Sequence, residues 1–441
     1  MKQQQNKIGW QDTACWGAFL AVIYVLLAAA PVLLALADNP SAGGSAAVQA
    51  ALAAAMFGFS LICLQVVLAG RFKTVDRPFG LDVLMRFHKA MGVLAVPLLL
   101  SHPLLLAWDR QSWLLFSFDT PWQVNLGKAT LLLLFLGVLF ALLFLKLGVD
   151  YNLWRAAHKG MFAVVVLAFL HGLYIGPDIQ SGSGRIYWIS MFSVACAVFV
   201  YRNLIVPVWI ARKFKVSDVR RQTHDTYTLS FEPLDGRPTL RNPGQFMFLR
   251  LIRPGRPCET HPFTISTSPL ETNLLKATIK QSGNFTNTIG RTRAGDTARI
   301  EAPFGRFSYV HDAAASILFI AGGIGITPVM SMLRCLRETG DGRPVKLLYG
   351  NKAEEDIVFR QEIEELPANF ATVHVLSHAN EAWQGERGYI TTELIEKYAA
   401  EMLGDADVYL CGPPVMMDKV IKSLRTLKVS DKRIHFERFT I

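Results

Sequence analysis

The sequence predicts a multi-domain protein in which a bundle of six transmembrane helices precedes a small antiparallel β-barrel and a doubly wound α/β domain. Three observations predict this fold class. The 441 residues are 51% hydrophobic and only 18% charged, whereas about a quarter of a soluble domain is charged. Charged residues are sparse up to about residue 211 and dense afterwards. Alternating strands and a strand–glycine turn–helix pattern then follow. We expect domains at 1–212, 213–311 and 312–441.

Composition also excludes several classes of protein. The apolar content excludes wholesale disorder. Six cysteines lie far apart without a CxxC pair, so neither a disulfide scaffold nor an iron–sulfur module is predicted. The net charge of +10 does not require a nucleic-acid partner.

Six uncharged apolar runs are each close to the ~20 residues that a membrane-spanning helix needs. They lie at about 13–37, 46–70, 90–108, 129–145, 160–177 and 186–201. The first run is too long for the hydrophobic region of a signal peptide, so it is kept as the first span. Most basic loop residues of this half fall on one side, which the positive-inside rule makes cytoplasmic. We expect an integral protein of the bacterial inner membrane, embedded in the lipid bilayer, with the chain after about residue 212 in the cytoplasm.

Four histidines lie in the predicted membrane helices, two in helix three and two in helix five. These helices run in the same direction, so His88 and His158 lie at the cytoplasmic depth. His102 and His171 follow 14 and 13 residues later, ~20 Å further along. Imidazole in hydrocarbon is costly without a partner, and bis-histidine haem ligation satisfies one nitrogen of each ring. The pattern favours two b haems; packing or hydrogen-bonding histidines and an incomplete zinc site are the alternatives.

The spacing in helix five does not fit an ideal helix. At ~100° per residue, 14 residues return to nearly the same face, but 13 residues fall ~140° short. Helix five must therefore be distorted, or the two haems must be rotated relative to each other.

The charged half begins with short alternating strands (YTLSF, FMFLRL, LKATIK) separated by glycine and proline, which predicts the antiparallel barrel. Two motifs follow these strands: HPFTIS at 261–266 and GNFT at 283–286. An aromatic ring followed by hydroxyls can stack on a flavin and bind its edge, and glycine and threonine at a helix start suit a pyrophosphate. Ordinary strand and turn residues are the alternative for either motif alone.

From residue 316 the pattern changes to strand, glycine turn and helix, which predicts a nucleotide-binding domain. The turn contains Gly322, Gly323, Gly325, Thr327 and Pro328. Its glycines would let a pyrophosphate approach the helix start. A later strand ends in Cys411, Gly412 and Pro413, at the edge where open α/β sheets bind ligands. A tight turn without a ligand is the alternative.

Together these motifs closely resemble the ferredoxin–NADP reductase fold as used by the NADPH oxidase and ferric reductase superfamily, from helix two to the C-terminus. The histidine spacings are also those of the family. The resemblance implies FAD, two b haems and NADPH as cofactors. The residues that it places at FAD are His261, Pro262, Phe263, Thr264, Ser266, Gly283, Thr286, Glu437 and Phe439. Those that it places at the nicotinamide nucleotide are Gly322, Gly323, Gly325, Thr327, Pro328, Cys411, Gly412 and Pro413.

The implied function is transfer of hydride from NADPH to FAD and then of single electrons through both haems to an acceptor beyond the membrane. We expect dioxygen, giving superoxide. A ferric chelate is the close alternative, and an electron-transfer subunit that feeds a periplasmic acceptor protein is a third. A proton-relay transporter is disfavoured because acidic residues are almost absent from the apolar runs. NADPH is expected over NADH because Asn351 and Lys352 follow a strand end, where a cation suits a 2′-phosphate.

Overall fold

Six helices in the described part of the chain are long and apolar enough to cross a membrane, which confirms the expected number of spans. The computed structural model describes residues 14–38, 45–113, 117, 119–179, 182–255, 258–312 and 314–438. The spans are Ala14–Ala37, Ala46–Leu68, Leu81–Asp109, Trp122–Leu143, Tyr151–Ile175 and Gly182–Ile210. The chain divides into two units, residues 1–206 and 207–441. The three domain boundaries expected from the sequence stay predictions.

The first unit is helical throughout its described elements. Its α-helices are α1 (Ala14–Asp38), α2 (Ala46–Leu68), α3 (Lys73–Phe79), α4 (Leu81–Asp109), α5 (Trp122–Leu143), α6 (Tyr151–Gly160), α7 (Phe162–Ile175) and α8 (Gly182–Val200). Helix α8 continues as a π-helix over Tyr201–Ile210. Helix α2 is the most enclosed span, with Phe59, Leu61 and Cys63 buried, whereas the other spans expose apolar side chains as lipid-facing helices do.

The fifth span is broken between its two histidines. Helix α6 ends at Gly160 and α7 begins at Phe162, and the Met161 N–H donates to the His158 carbonyl three residues back, at 3.1 Å. A bond over three residues tightens a helix locally, which changes the rotation between His158 and His171. Of the two alternatives that the 13-residue spacing leaves open, the turn at Met161 is a distortion of helix five, and a rotation of the haems stays a prediction.

The second unit begins with a six-stranded antiparallel sheet. Its strands are β1 (Arg212–Arg221), β2 (Thr226–Pro233), β3 (Phe246–Ile252), β4 (Thr260–Thr264), β5 (Leu275–Lys280) and β6 (Thr297–Phe304). They are ordered β4-β3-β6-β1-β2-β5. The Ser266 N–H, just beyond β4, donates to the Lys276 carbonyl of β5 at 2.8 Å, so the two edges close on each other. The predicted barrel is filled by buried side chains such as Phe214, Phe231 and Met247.

A six-stranded parallel sheet follows. Its strands are β7 (Ile317–Gly322), β8 (Val345–Asn351), β9 (Phe370–Leu376), β10 (Glu386–Arg387), β11 (Asp407–Cys411) and β12 (Ile434–Phe436), in the order β10-β9-β8-β7-β11-β12. The helices are α9 (Ile326–Thr339), α10 (Arg360–Glu364), α11 (Thr392–Ala399) and α12 (Pro414–Thr426). Every residue of β7 is buried, as expected of a parallel strand covered on both faces. The doubly wound α/β domain is confirmed.

Candidate functional site

The four membrane histidines form two facing pairs. His88 of α4 and His158 of α6 have ring centroids 5.9 Å apart, and His102 of α4 and His171 of α7 have centroids 6.5 Å apart. The ring planes of the pairs differ by 70° and 75°. Two opposed imidazoles that share one metal ion have centroids about 6 Å apart, because each metal–nitrogen bond is about 2 Å long. Both pairs therefore fit a bis-histidine haem.

The outer pair is also oriented as metal ligands usually are. His102 Nδ1 lies 3.0 Å from the Ala51 carbonyl oxygen, and His171 Nδ1 lies 2.8 Å from the Gln123 carbonyl oxygen. Ligating histidines typically donate their second ring N–H to such an acceptor, which leaves Nε2 for the metal. The buried His158 Nδ1 has no hydrogen-bond partner within the described ranges, so the inner pair differs from the outer pair in this respect.

Sequence reasoning missed two residues that support these rings. Trp154 stacks on His158 with centroids 5.2 Å apart and planes 12° apart. The two residues are one helical turn apart, so their spacing was an available signal. Gly127 of α5 lies against His171, a contact between distant parts of the sequence that no local pattern indicates.

The first flavin motif lies on β4, at an edge of the barrel sheet, where the missing N–H of Pro262 is tolerated. His261 stacks on Phe285 with centroids 4.3 Å apart, and Phe263 lies 6.1 Å from the same ring. His261 Nε2 is 2.8 Å from Glu259 Oε2. Thr264 is buried at the end of β4. Phe285 lies inside the GNFT motif and links both motifs, a role that the sequence pattern does not indicate.

Ser266 lies apart from this group. It is fully buried, its hydroxyl donates to the Lys276 carbonyl at 3.2 Å, and it lies 3.3 Å from the Thr278 hydroxyl. The Ser266 side chain is therefore engaged in barrel closure.

The second motif forms a tight turn. The Thr286 hydroxyl accepts hydrogen bonds from the Ser282 and Gly283 N–H groups, each at 2.9 Å. The Asn287 N–H donates to the Gly283 carbonyl at 2.8 Å. Thr286 and Gly283 thus fix each other's position, and the turn leads into a short 3-10 helix over Thr286–Arg291.

The glycine turn and the Cys411–Pro413 segment lie side by side because β7 and β11 are adjacent parallel strands. A Cβ atom on Gly325 would stand 2.4 Å from the Cys411 carbonyl oxygen, and one on Gly412 would stand 3.1 Å from the Gly322 nitrogen. The glycine turn and the Cys411–Pro413 segment can lie this close only because these positions are glycine. Their packing leaves the backbone at the start of α9 open to an anion.

Further contacts shape the same turn. Gly323 has φ of 51°, a left-handed conformation that favours glycine. The Tyr349 hydroxyl, on β8, donates to the Gly323 carbonyl at 3.1 Å, an anchor that the sequence did not indicate. The Thr327 hydroxyl donates to the Ile324 carbonyl at 3.1 Å. Pro328 is buried in the first turn of α9, where proline is tolerated.

Cys411 and Glu437 are close enough to influence each other electrostatically. Burial raises the pKa of the fully buried Cys411 thiol well above its usual range, and the nearby Glu437 carboxylate raises it further. Glu437 also reaches the barrel, since a Cβ on Gly305 would stand 3.0 Å from Glu437 Oε1. The Cys411 thiol is therefore neutral. Phe439, expected at the flavin, lies outside the described residues.

Lys352 directly follows β8, and its side chain is exposed. Asn351, at the end of the strand, is buried. The structure therefore presents Lys352 at the strand-end edge of the sheet that also carries the glycine turn, as the sequence placed it.

Three protein-family models match the chain. "Ferric reductase like transmembrane component" matches residues 54–169, "FAD-binding domain" matches 212–301, and "Oxidoreductase NAD-binding domain" matches 319–422. These three matches lie in the membrane bundle, the barrel and the parallel sheet, respectively.

Two relatives match about half of the chain, and one solved structure matches more of it. NADH-cytochrome b5 reductase 1 of Candida glabrata is 29% identical over 218 residues, which are 47% of this chain and 76% of the relative. The glycine betaine monooxygenase reductase subunit of Pseudomonas aeruginosa is 31% identical over 254 residues, 54% of this chain and 68% of the relative. A flavohemoglobin from Malassezia yamatoensis, solved with FAD and heme, has a TM-score of 0.50 at 18% identity, covering 89% of this chain and 98% of its own. That last likeness concerns the fold alone.

The fold and the matched domains define a membrane-bound oxidoreductase that takes electrons from NAD(P)H and passes them through FAD across a helical bundle. The chain belongs to the NADPH oxidase and ferric reductase superfamily, with a dehydrogenase part of the ferredoxin–NADP reductase type.

Proposed function

We propose that the protein transfers electrons from cytoplasmic NADPH, through FAD and two b haems, to dioxygen on the opposite side of the membrane, where superoxide forms. The facing histidine pairs at two levels of one bundle carry this proposal. His88 and His102 are 14 residues apart on α4, or ~20 Å. Two levels so spaced extend over most of a hydrocarbon layer about 30 Å thick, as electron relay across it requires.

The cofactors would supply distinct chemistry when bound, since a flavin accepts a hydride and releases single electrons, and a haem carries one electron at a time. His102 and His171 are held by backbone carbonyls with Nε2 available. Because each haem iron would be held by two histidines, the acceptor would be reduced without binding to the iron. This arrangement suits a small diffusible acceptor.

On the nucleotide side, the backbone at Gly325 and the start of α9 would hold the pyrophosphate. The neutral Cys411 thiol places no negative charge beside the nicotinamide. Lys352 would pair with a 2′-phosphate, which supports NADPH over NADH. Gly283 and Thr286 would form the turn at the FAD phosphates, with Phe263 against the flavin ring.

Ferric-chelate reduction is the second candidate. The match of residues 54–169 to a ferric reductase-like component favours it. The same chain of histidines serves both reactions, because both acceptors take one electron at the outer face. An electron-transfer role towards a periplasmic protein would use this path as well. We place the protein in a bacterial inner membrane, and the basic loops of its membrane half support the cytoplasmic location of the dehydrogenase part.

The deciding experiment uses detergent-purified, full-length protein loaded with haem and FAD. We expect two low-spin b haems and one FAD per chain. NADPH consumption should be matched by superoxide, assayed as reduction that superoxide dismutase suppresses, with ferrous iron followed in parallel. Ferrous iron without superoxide would assign the ferric reductase activity, and negligible turnover with either would favour a protein acceptor. A single haem or a high-spin spectrum would refute the two-haem architecture.

A further inference from the structure

Three side chains of ligand type converge at the amino end of the parallel sheet. Asp407 begins β11, His435 lies on the adjacent strand β12, and Asp312 lies in the segment before β7. One carboxylate oxygen of each aspartate and one imidazole nitrogen lie within 4.8 Å of one another. Cys411 lies at the other end of β11, about 13 Å along the strand. The cluster is therefore separate from the nucleotide site.

The separations in the cluster are long for hydrogen bonds. His435 Nε2 lies 3.3 Å from Asp407 Oδ1 and 3.6 Å from Asp312 Oδ2. Charge-assisted hydrogen bonds between such groups are about 2.7–2.9 Å long, and His435 Nε2 is buried without a hydrogen-bond partner among the residues described. Two ligands of one tetrahedral metal ion, with bonds of about 2.0–2.1 Å, stand about 3.3–3.4 Å apart. The two measured distances therefore fit ligands of one metal ion better than they fit hydrogen bonds.

The Asp407 carboxylate points independently to a cation at this cluster. Its side chain is only 10% exposed, and His435 is its ion-pair neighbour. In the described part of the chain this carboxylate accepts no hydrogen bond. A buried carboxylate without donors is unfavourable unless a cation compensates its charge. Two arginines of this region are engaged elsewhere: Arg343 pairs with Asp341 at 2.8 Å, and Arg433 donates to the Ala406 carbonyl at 3.2 Å.

Tyr409 holds two of the three ligand side chains in place. Its hydroxyl donates to Asp312 Oδ2 at 2.8 Å, and its ring stacks on His435 with centroids 4.7 Å apart and planes 15° apart. Hydrogen bonds and packing from a second layer of residues are typical of metal sites, where they set the direction of each ligand.

We propose that Asp312, Asp407 and His435 bind one divalent first-row transition-metal ion. One imidazole and two carboxylates suit Zn²⁺ or Mn²⁺, and a water would complete the coordination. The ion would join β12 to β11 and to the segment before β7. Because Glu437 directly follows β12, this bond would also fix the approach of Glu437 to Cys411.

A second cluster of the same residue types provides the matched control. His224, Asp225 and Asp356 also bring their ligand atoms together. Here Lys280 Nζ already lies 3.1 Å from Asp225 Oδ2, and His224 is exposed. A resident ammonium group supplies the positive charge, so we expect no metal ion at this second cluster.

The test uses full-length, cofactor-loaded protein that has been treated with a chelator and then incubated with Zn²⁺ or Mn²⁺. After gel filtration, elemental analysis should find about one ion per chain in the wild type and in Asp225→Asn. Asp407→Asn and His435→Gln should lose at least tenfold in affinity, and the ion should raise the melting temperature of the wild type but not of these variants.

Two results would overturn the proposal: no retained ion in the wild type, or equal retention in Asp407→Asn and His435→Gln. The haem and flavin spectra report folding of each variant. If Asp407→Asn does not fold, His435→Gln alone decides, because glutamine leaves both carboxylates in place and removes only the imidazole.

Discussion

A Cβ atom on Gly127 would stand 2.6 Å from Cε1 of the His171 ring, so the outer histidine of α7 rests directly on the backbone of α5. One turn earlier on α5, the Gln123 carbonyl lies 2.8 Å from His171 Nδ1. Both contacts come from one face of one helix. Helix α5, which carries none of the four histidines, therefore sets the direction of the His171 ring.

We expect Gly127→Ala to lose about half of the haem, because the new methyl group displaces His171 while the inner pair is unaffected. Haem and FAD contents should be measured on the same sample, and FAD should be unchanged. Gly160→Ala is the control, since nothing lies within 4 Å of a Cβ there. Equal haem loss in both variants would contradict the role of Gly127.

His171→Leu and His158→Leu should interrupt electron transfer at different points. Without His171, the outer haem should be absent, and NADPH should still reduce the inner one under anaerobic conditions. Without His158, FAD should be reduced while any remaining outer haem stays oxidised. Stopped-flow spectra distinguish the two patterns. Wild-type acceptor reduction by His171→Leu would refute the proposed order of the haems.

Gly325→Ala should weaken nucleotide binding without affecting FAD content. A Cβ there would stand 2.4 Å from the Cys411 carbonyl oxygen, so the turn must move away from β11. We expect Kd for NADPH to rise at least tenfold, or about 1.4 kcal/mol. Gly342→Ala, at a position where a Cβ meets nothing within 4 Å, should bind normally. Unchanged affinity of Gly325→Ala would show that this approach is not needed for binding.

Lys352→Glu should lower the preference for NADPH. Reversing the charge at the end of β8 removes attraction to a 2′-phosphate and adds repulsion, whereas a 2′-hydroxyl is not repelled. The KM for NADPH should rise about tenfold and that for NADH should change little. Steady-state kinetics with both nucleotides checks this, and a parallel rise of both KM values would assign Lys352 a role unrelated to the 2′ position.

Cys411 should resist alkylation at alkaline pH. The thiolate is the reactive form, and burial, followed by the charge of Glu437, raises the Cys411 pKa well above its usual range. The Cys411 thiol should thus stay protonated and shielded, whereas the exposed Cys258 thiol is accessible to the reagent. Peptide mass spectrometry after timed iodoacetamide treatment at pH 7 to 9 measures both. Comparable rates at the two cysteines would mean that Cys411 is accessible and ionised.

The sequence predicted positions along elements better than contacts between them. His88 pairs with His158, and His102 with His171, because rise per residue fixes depth in a helix. No sequence pattern indicates the roles of Gly127, Phe285 and Tyr349, because each contacts a residue that only folding brings near. The position of the turn in helix five could not be predicted either, although the 13-residue spacing required a distorted helix or rotated haems. Phe439 keeps its sequence-based role as a prediction: Phe439→Ala should alter hydride transfer and leave haem content intact.

The turn at Met161 divides the fifth span into two helical segments, α6 and α7. In a continuous helix, inserting one residue rotates everything beyond it by ~100°, so a change beside His158 would also misdirect His171. Because a turn separates α6 from α7, a change in the rotation of α6 need not be transmitted in full to α7. Evolution can therefore adjust the directions of His158 and His171 separately, whereas His88 and His102 remain coupled on the continuous helix α4.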